Sequence, residues 1–342
     1  MTVLCAGLAA PHAGWAAIDE LALLLARYFE AELLSPASIP GPLWRRLAGR
    51  PRPTFATQTA AGGDVLMVVA RGPQDLALIS SIPDARKRYA RIHAFVTDSY
   101  FQAGFVQETR LYDSITVTAH EDMAYPTQRF GVQVHQLHQG ADCLQWAPTQ
   151  WHARDIDLIA YGRTPPSFHR AFMQRFHAAR SPHLYLHSPL GHLAGPDIHL
   201  ERGMLFKLLQ RTGVSLAFHL LVEPEGSRPR SMMVTSRWLE SLLSGCIVAG
   251  HRPISRMATD MLNWEGATVE LAADPEQAAD ALERLLAHPD DMQMQRQRNV
   301  AQMLTQHDWR HRMQRMCGLF GWDVPARLQE DLNRLQERAT PH

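Results

Sequence analysis

The run Val65–Ala70, VLMVVA, contains no polar residue. A strand with one wet face alternates apolar and polar side chains. A strand without that alternation suits a sheet covered on both faces, the setting of parallel strands. Other short strand-forming runs follow at helix-length intervals: Val3–Ala6, Ala31–Leu34, Ile92–Thr97, Ser114–Thr118 and Gln133–Leu137. Between them, Ala16–Phe29 and Gln74–Ile79 carry helical patterns. Strands separated by crossover-length helices predict βαβ units and an α/β fold with a parallel sheet.

Gly140–Arg154 has no regular period and contains Pro148, so it reads as a linker. A second α/β series follows. Strands are predicted at Asp157–Tyr161, His183–His187, Val214–His219, Cys246–Ala249 and Thr268–Leu271. Helices are predicted at Phe168–Ala179, Glu201–Arg211 and Asp274–His288, with one long polar helix over Gln293–Cys317. The expected division is a first domain over 1–147, a second over 148–322 and an amphipathic helix over 323–342. A chain of 342 residues suits two domains, each with its own core.

Formal net charge is zero, so no global field favours nucleic acid or an anionic membrane. Lys87 and Lys207 are the sole lysines, so a bound phosphate has to be met by Arg, His or backbone N–H. The cysteines Cys5, Cys143, Cys246 and Cys317 lie far apart in sequence and read as buried thiols of a reducing compartment. The N-terminal stretch lacks a basic start and is interrupted by Asp19 and Glu20, which predicts no signal peptide. No apolar run approaches the ~20 residues of a membrane span. These readings predict a cytoplasmic protein.

The most chemically specific stretch is Thr235–Pro253, TSRWLESLLSGCIVAGHRP. Thr235 and Ser236 are N-cap types, and Trp238, Leu239, Leu242 and Leu243 fall on one helical face while Glu240 is expected elsewhere. A helix start gathers unpaired N–H groups and partial positive charge, which makes a phosphate site. Arg237 is placed to pair with the same anion, and Glu240, one turn in, to accept bonds from the hydroxyls of a ribose. Arg163 closes the predicted strand Asp157–Tyr161, at the sheet edge where ligands of open α/β folds gather.

Glu240, Ser241, Gly245 and Val248, continuing into Gly250–Pro253, resemble the donor-binding segment of GT-B glycosyltransferases. The likeness is nearest to the bacterial glycosyltransferase group 1 subfamily that includes spore-coat-like domains. Asp155–Arg163 looks like the opening strand of that donor domain, and His307-Asp308-Trp309-Arg310 like its late helix. The resemblance implies two Rossmann-like domains facing across a cleft, with a nucleotide-sugar donor held by Arg163, Thr235, Ser236, Arg237 and Glu240. It implies transfer to a glycan, glycolipid or protein side chain of the cell surface. Retaining members often carry an acidic residue eight positions before the glutamate, where this chain has Met232. Their diphosphate lysine has no clear counterpart either; Phe168-His169-Arg170 is the nearest region.

For the acceptor proton, His12 follows the first strand and Asp98 a later one of the same sheet, which makes them a candidate base and its orienter. Asp98 alone, and His120 with Glu121, remain open. No H-E-x-x-H or C-x-x-C is present, and no metal site or cofactor is expected. His183, His187, His192 and His199 form a histidine-rich stretch without metal-ligand spacing. Trp44, Arg45, Arg46, Arg50 and Arg52 make a basic, aromatic patch suited to a solvated loop, an acidic acceptor or peripheral membrane contact. Two other readings stay open: a nucleotide-sugar epimerase on the same fold, and a non-catalytic binding module.

Overall fold

The computed structural model describes residues 1–40, 53–187, 197–223 and 232–340. They divide into two units, one of Met1–Gln139 with Arg312–Glu330, the other of Gly140–His311 with the chain from Asp331 on. The basic patch from Trp44 to Arg52 lies outside the described residues.

In the first unit the strands are β1 (Thr2–Cys5), β2 (Glu32–Leu34), β3 (Gly63–Ala70), β4 (Tyr89–Val96), β5 (Ser114–Val117) and β6 (Gln133–Gln136). They form one sheet in the order β2-β1-β3-β4-β5-β6, with every neighbouring pair parallel. Leu66, Met67, Val68 and Val69 are at most 2% exposed, so both faces of β3 are covered, as its lack of alternation requires. Helix α1 (Ala16–Tyr28) buries Leu21 and Leu25 completely.

In the second unit the strands are β7 (Ile156–Ala160), β8 (Tyr185–His187), β9 (Thr212–Phe218), β10 (Ile247–His251) and β11 (Val269–Glu270). Their order is β11-β10-β9-β7-β8, again wholly parallel. Both sheets are therefore doubly wound, with the direction of winding reversing between the first and third strands. That reversal lies between β1 and β3 in one unit and between β7 and β9 in the other. The helices that matter below are α2 (Pro166–Phe176), α3 (Ile198–Gln210), α4 (Ser236–Leu243), α5 (Asp291–Gln306) and α6 (Trp309–Phe320).

Three expectations need correction. Gln74–Ile79 is not an α-helix but part of a 3₁₀ stretch, Pro73–Ser81. The long helix expected over Gln293–Cys317 is two helices, α5 and α6. The break has a local cause. The backbone of Ala141 pairs with the chain on both sides of Asp308, donating to the His307 carbonyl and accepting from the Trp309 amide, each at 3.0 Å. The Asp308 carboxylate then accepts from the amides of Arg310 (2.6 Å) and Cys143 (2.7 Å). Arg310 is buried against it and reaches Asp142 at 2.8 Å. Third, the chain leaves the first unit at Gln139 rather than at 147, and it re-enters that unit at Arg312. The expected 148–322 domain thus ends about one helix early, and the tail expected as 323–342 is divided between the units.

Gly250 shows how closely the second sheet is built. It pairs with Ala217 of β9, and a Cβ at Gly250 would lie 1.8 Å from the Ala217 carbonyl oxygen, at a φ of +152°. Gly250→Ala is therefore expected to destabilise the protein by about 3 kcal/mol or more. Gly318, where an added Cβ meets nothing within 4 Å inside α6, is the control. Gly318→Ala should be neutral or stabilising by up to about 1 kcal/mol. Urea unfolding of the two variants checks both, and equal stabilities would contradict the pairing.

Candidate functional site

The end of β7 continues through Tyr161 and Gly162 to Arg163. Gly162 has φ +70°, and a Cβ there would lie 2.4 Å from the Arg237 guanidinium. The glycine thus opens room for Arg237, which comes from the first turn of α4. Arg237 Nη1 donates to the Arg163 carbonyl at 2.7 Å, and its guanidinium lies 5.8 Å from the Tyr161 ring centre. Arg163 Nη2 donates to the His219 carbonyl, just past β9, at 2.8 Å. Arg163 therefore spans the ends of β7 and β9, the point where the winding reverses and where open α/β sheets hold their ligands.

The electrostatics of this corner are unbalanced. Arg163 and Arg237 both donate to carbonyls, and among the described residues neither pairs with a carboxylate. Burial depresses the Arg237 pKa, and the nearby Arg163 charge pushes it the same way. His219 is held below its ordinary value by burial, then by His251 and Arg163, so it adds no cation near neutral pH. Glu240 does sit close, but its charge is met elsewhere: Arg202 Nη1 donates to its Oε1 at 2.5 Å. Among the described residues neither guanidinium is bonded to a carboxylate, although the Glu240 charge still favours the charged form of Arg237.

Thr235 occupies the N-cap position of α4, but its hydroxyl makes no cap bond, which corrects the expected hydroxyl cap. Its carbonyl still accepts from the Trp238 amide at 3.1 Å. Thr235 is exposed and Ser236 half-buried, so both hydroxyls lie beside the helix start. Glu240 corrects a second expectation. It does not point away from the core but is 4% exposed. Its Oε2 accepts from the Tyr161 hydroxyl at 3.1 Å. That hydroxyl is also 3.2 Å from the Arg237 carbonyl and 3.3 Å from Ser241 Oγ. Burial raises the Tyr161 pKa well above the usual phenol value, so the group stays a donor.

Arg202 and Tyr161 were not singled out by the sequence reading. Arg202 did carry a signal. It heads the spacing Arg202, Leu205, Phe206, Leu209 along α3, and the three apolar members are buried. A charged residue on the apolar stripe of a helix implies a buried partner. Tyr161 offered no such mark.

His12 and Asp98 both follow strands of the first sheet, β1 and β4, but no hydrogen bond joins them among the described residues. His12 is exposed, and its Nδ1 accepts from the Gly14 amide at 3.1 Å, capping a short 3₁₀ turn. The loop that carries it is anchored by Arg71, which pairs with buried Asp19 at 2.8 Å and donates to the Ala10 carbonyl at 2.8 Å. Asp98 is half-buried, and burial pushes its pKa from 3.8 up to about 7. Its carboxylate receives no hydrogen bond from the described residues. His120 and Glu121 are exposed in a 3₁₀ turn after β5. Among the described residues no group of three or more His, Cys, Asp or Glu is arranged to hold a metal ion. In the histidine-rich stretch, His183 lies 3.4 Å from Asp157, while His192 and the His199 side chain are outside the described part.

Residues 150–318 match the family described as glycosyl transferase-like. Among solved structures, Anabaena HepE in complex with UDP-glucose is similar, with a TM-score of 0.54 and 10% identity over 94% of this chain and 99% of that one. An alpha-glucosyltransferase, in complex with UDP-glucose and DNA containing an abasic site, also has a TM-score of 0.54 and 10% identity, over 93% of this chain and 98% of its own. Both likenesses establish the fold, that of GT-B glycosyltransferases. No curated protein matches the sequence significantly.

The paired guanidiniums predict anion binding that does not depend on any other part of a ligand. Arg163→Met and Arg237→Met should each weaken binding of inorganic pyrophosphate by roughly tenfold or more, since a charged hydrogen bond contributes about 1.5–3 kcal/mol. Calorimetric titration of the folded variants checks this. Unchanged affinity in both would remove these residues from the site.

Proposed function

We propose that this protein, a glycosyltransferase of the GT-B fold with its glycosyl transferase-like segment at 150–318, takes a nucleotide-activated sugar at its second unit. The sugar passes to a hydroxyl of a glycan, lipid or protein acceptor, in the cytoplasm, where four buried free cysteines are stable as thiols. The observation that carries the donor site is the pair Arg163 and Arg237 at the winding reversal, two positive charges that among the described residues bond to carbonyls and to no carboxylate. The diphosphate of a nucleotide sugar carries two negative charges, one per phosphate.

In the transfer, the bond between the anomeric carbon and the diphosphate oxygen breaks, and a bond to the acceptor oxygen forms. Negative charge grows on the diphosphate as it leaves. Fixed guanidiniums and the amides at the start of α4 meet that charge without rearranging, which is where electrostatic catalysis is strongest. Thr235 and Ser236 are assigned hydrogen bonds to the same phosphates, and Glu240 the ribose. Because the protein supplies two cations, turnover is expected to persist in EDTA. Loss of activity in EDTA with recovery on adding Mn²⁺ would overturn that assignment. UDP-glucose, the donor bound in the two similar structures, is the first to test.

The acceptor proton is assigned to the His12 and Asp98 pair, with Asp98 as the base. Two features support that order. The Nδ1 lone pair of His12 already receives the Gly14 amide. Asp98 has an open carboxylate whose pKa, raised by burial to about 7, suits a base working near neutrality. A raised carboxyl pKa has a definite sign: Asp98 is neutral below pH 7 and becomes an active base above it. Turnover should rise with pH through about 7 and then level off. Asp98→Asn should lower turnover by about 10²–10⁴-fold, with donor binding kept. A pH–rate profile flat from pH 5.5 to 8 in the unsubstituted enzyme would exclude this base.

A further inference from the structure

Arg202 sits near the start of α3, is 4% exposed and forms a 2.5 Å ion pair with Glu240, whose side chain is 5% exposed. The Arg202 guanidinium also lies 5.0 Å from the Phe206 ring centre. The second carboxylate oxygen is held by the Tyr161 hydroxyl. Glu240 and Arg237 are three apart on α4, so they lie on neighbouring sides of one helix turn. Through Tyr161, Glu240 joins the same group of residues that holds Arg237 and Arg163.

We infer that Arg202 is a positioning residue that fixes the Glu240 carboxylate for recognition of the donor's ribose hydroxyls; this rests on the nucleotide-sugar reading above. A carboxylate has about four lone-pair sites, and the bonds to Arg202 and Tyr161 use one on each oxygen. Each oxygen keeps a site for a hydroxyl donor. A ribose diol has two hydroxyls, and a carboxylate clamped from behind can receive them without first losing rotamer freedom. Arg202 also sets the charge at this place. Arg202 offsets the Glu240 charge, which lies close enough to act on Arg237. Without Arg202, the Glu240 charge would act on Arg237 unopposed.

The test compares a ribonucleoside diphosphate with its 2′-deoxy counterpart by calorimetry on the full chain. The probes are UDP, ADP and GDP with dUDP, dADP and dGDP, using the base that binds best. The unsubstituted protein should prefer the ribo form by about tenfold or more, because a site built to bond a hydroxyl penalises its loss. Arg202→Gln should bring that ratio close to one while pyrophosphate binding, set by Arg163 and Arg237, is not weakened by more than a fewfold. Arg202→Lys, which restores a cation, should recover much of the ratio.

Removing one member of a buried ion pair endangers folding, so the paired variants decide the matter independently. Glu240→Gln should lower the ratio, and Arg202→Gln added to Glu240→Gln should lower it no further, because Arg202 acts through that carboxylate. An independent loss from Arg202→Gln in the Glu240→Gln background would overturn the inference. So would a full ribo preference in folded Arg202→Gln, or no ribo preference in a protein that binds nucleoside diphosphates. Failure of the unsubstituted protein to bind any of the six nucleotides would instead overturn the donor reading itself.

Discussion

Parallel strand pairing is the constraint from which the rest of this structure follows. Two parallel neighbours cannot be joined by a tight turn, so each connection has to cross back over a face of the sheet. Both faces then become buried, which is why Leu66 to Val69 of β3 are nearly inaccessible. All strands also end at the same edge. In the second unit that edge collects Gly162 and Arg163 after β7 and His219 after β9, while α4 leads into β10. The first unit places the loop of His12 after β1 and Asp98 after β4 at its own corresponding edge. The reversal of winding separates the crossovers on either side of it, and Arg163 fills that position by bonding across to the His219 carbonyl.

The charge at this edge is organised by what the guanidiniums bond. A guanidinium paired with a carboxylate is neutralised; one held by carbonyls keeps its charge while losing its freedom. Arg163 and Arg237 are of the second kind, and Arg202 is of the first. Elsewhere in the second unit, other arginines serve structure. Arg154 donates to the carbonyls of Leu209, Thr212 and Ser244, tying the end of α3 to the end of α4. Arg310 is surrounded by Asp142, Asp308 and Asp331. A chain with two lysines has to use one cation type for all these tasks. Arg154 shows that bonding to carbonyls alone does not mark an anion site; what sets Arg163 and Arg237 apart is their place at the strand ends beside the start of α4.

Much of the fold was legible because it rests on periodicity. Bare apolar runs and helix-length spacings located both sheets and most strands to within a few residues. The break at Asp308 was not legible, because it depends on Ala141, far away in sequence, pairing with the chain beside it. The division between the units was hidden for the same reason: α6 continues a polar helical pattern without a gap, and only its tertiary contacts assign it. At the site, strand ends and a helix start marked Arg163 and Arg237, since position along a parallel sheet is readable from order alone. The surroundings of Glu240 were not. The helical spacing set it off the apolar face of Trp238, Leu239, Leu242 and Leu243, and its partner Arg202 lies on another helix, so nothing local to α4 showed that it is buried.

That buried carboxylate also bears on what the ion pair is for. Withdrawing Arg202 and Glu240 from water is costly, and two apolar side chains of similar volume would fill the space with less penalty. One apolar neighbour is already in place: Phe206, 1% exposed, lies 5.0 Å from the Arg202 guanidinium. Stability therefore does not account for the pair. Arg154 braces the ends of the same two helices through three carbonyls, so the pair is not needed to hold α3 against α4 either. What an apolar pair could not supply is a carboxylate of fixed orientation one turn behind Arg237, already neutralised by its partner. The position of the charge pair, beside the two unbalanced guanidiniums, is what gives its cost a functional return.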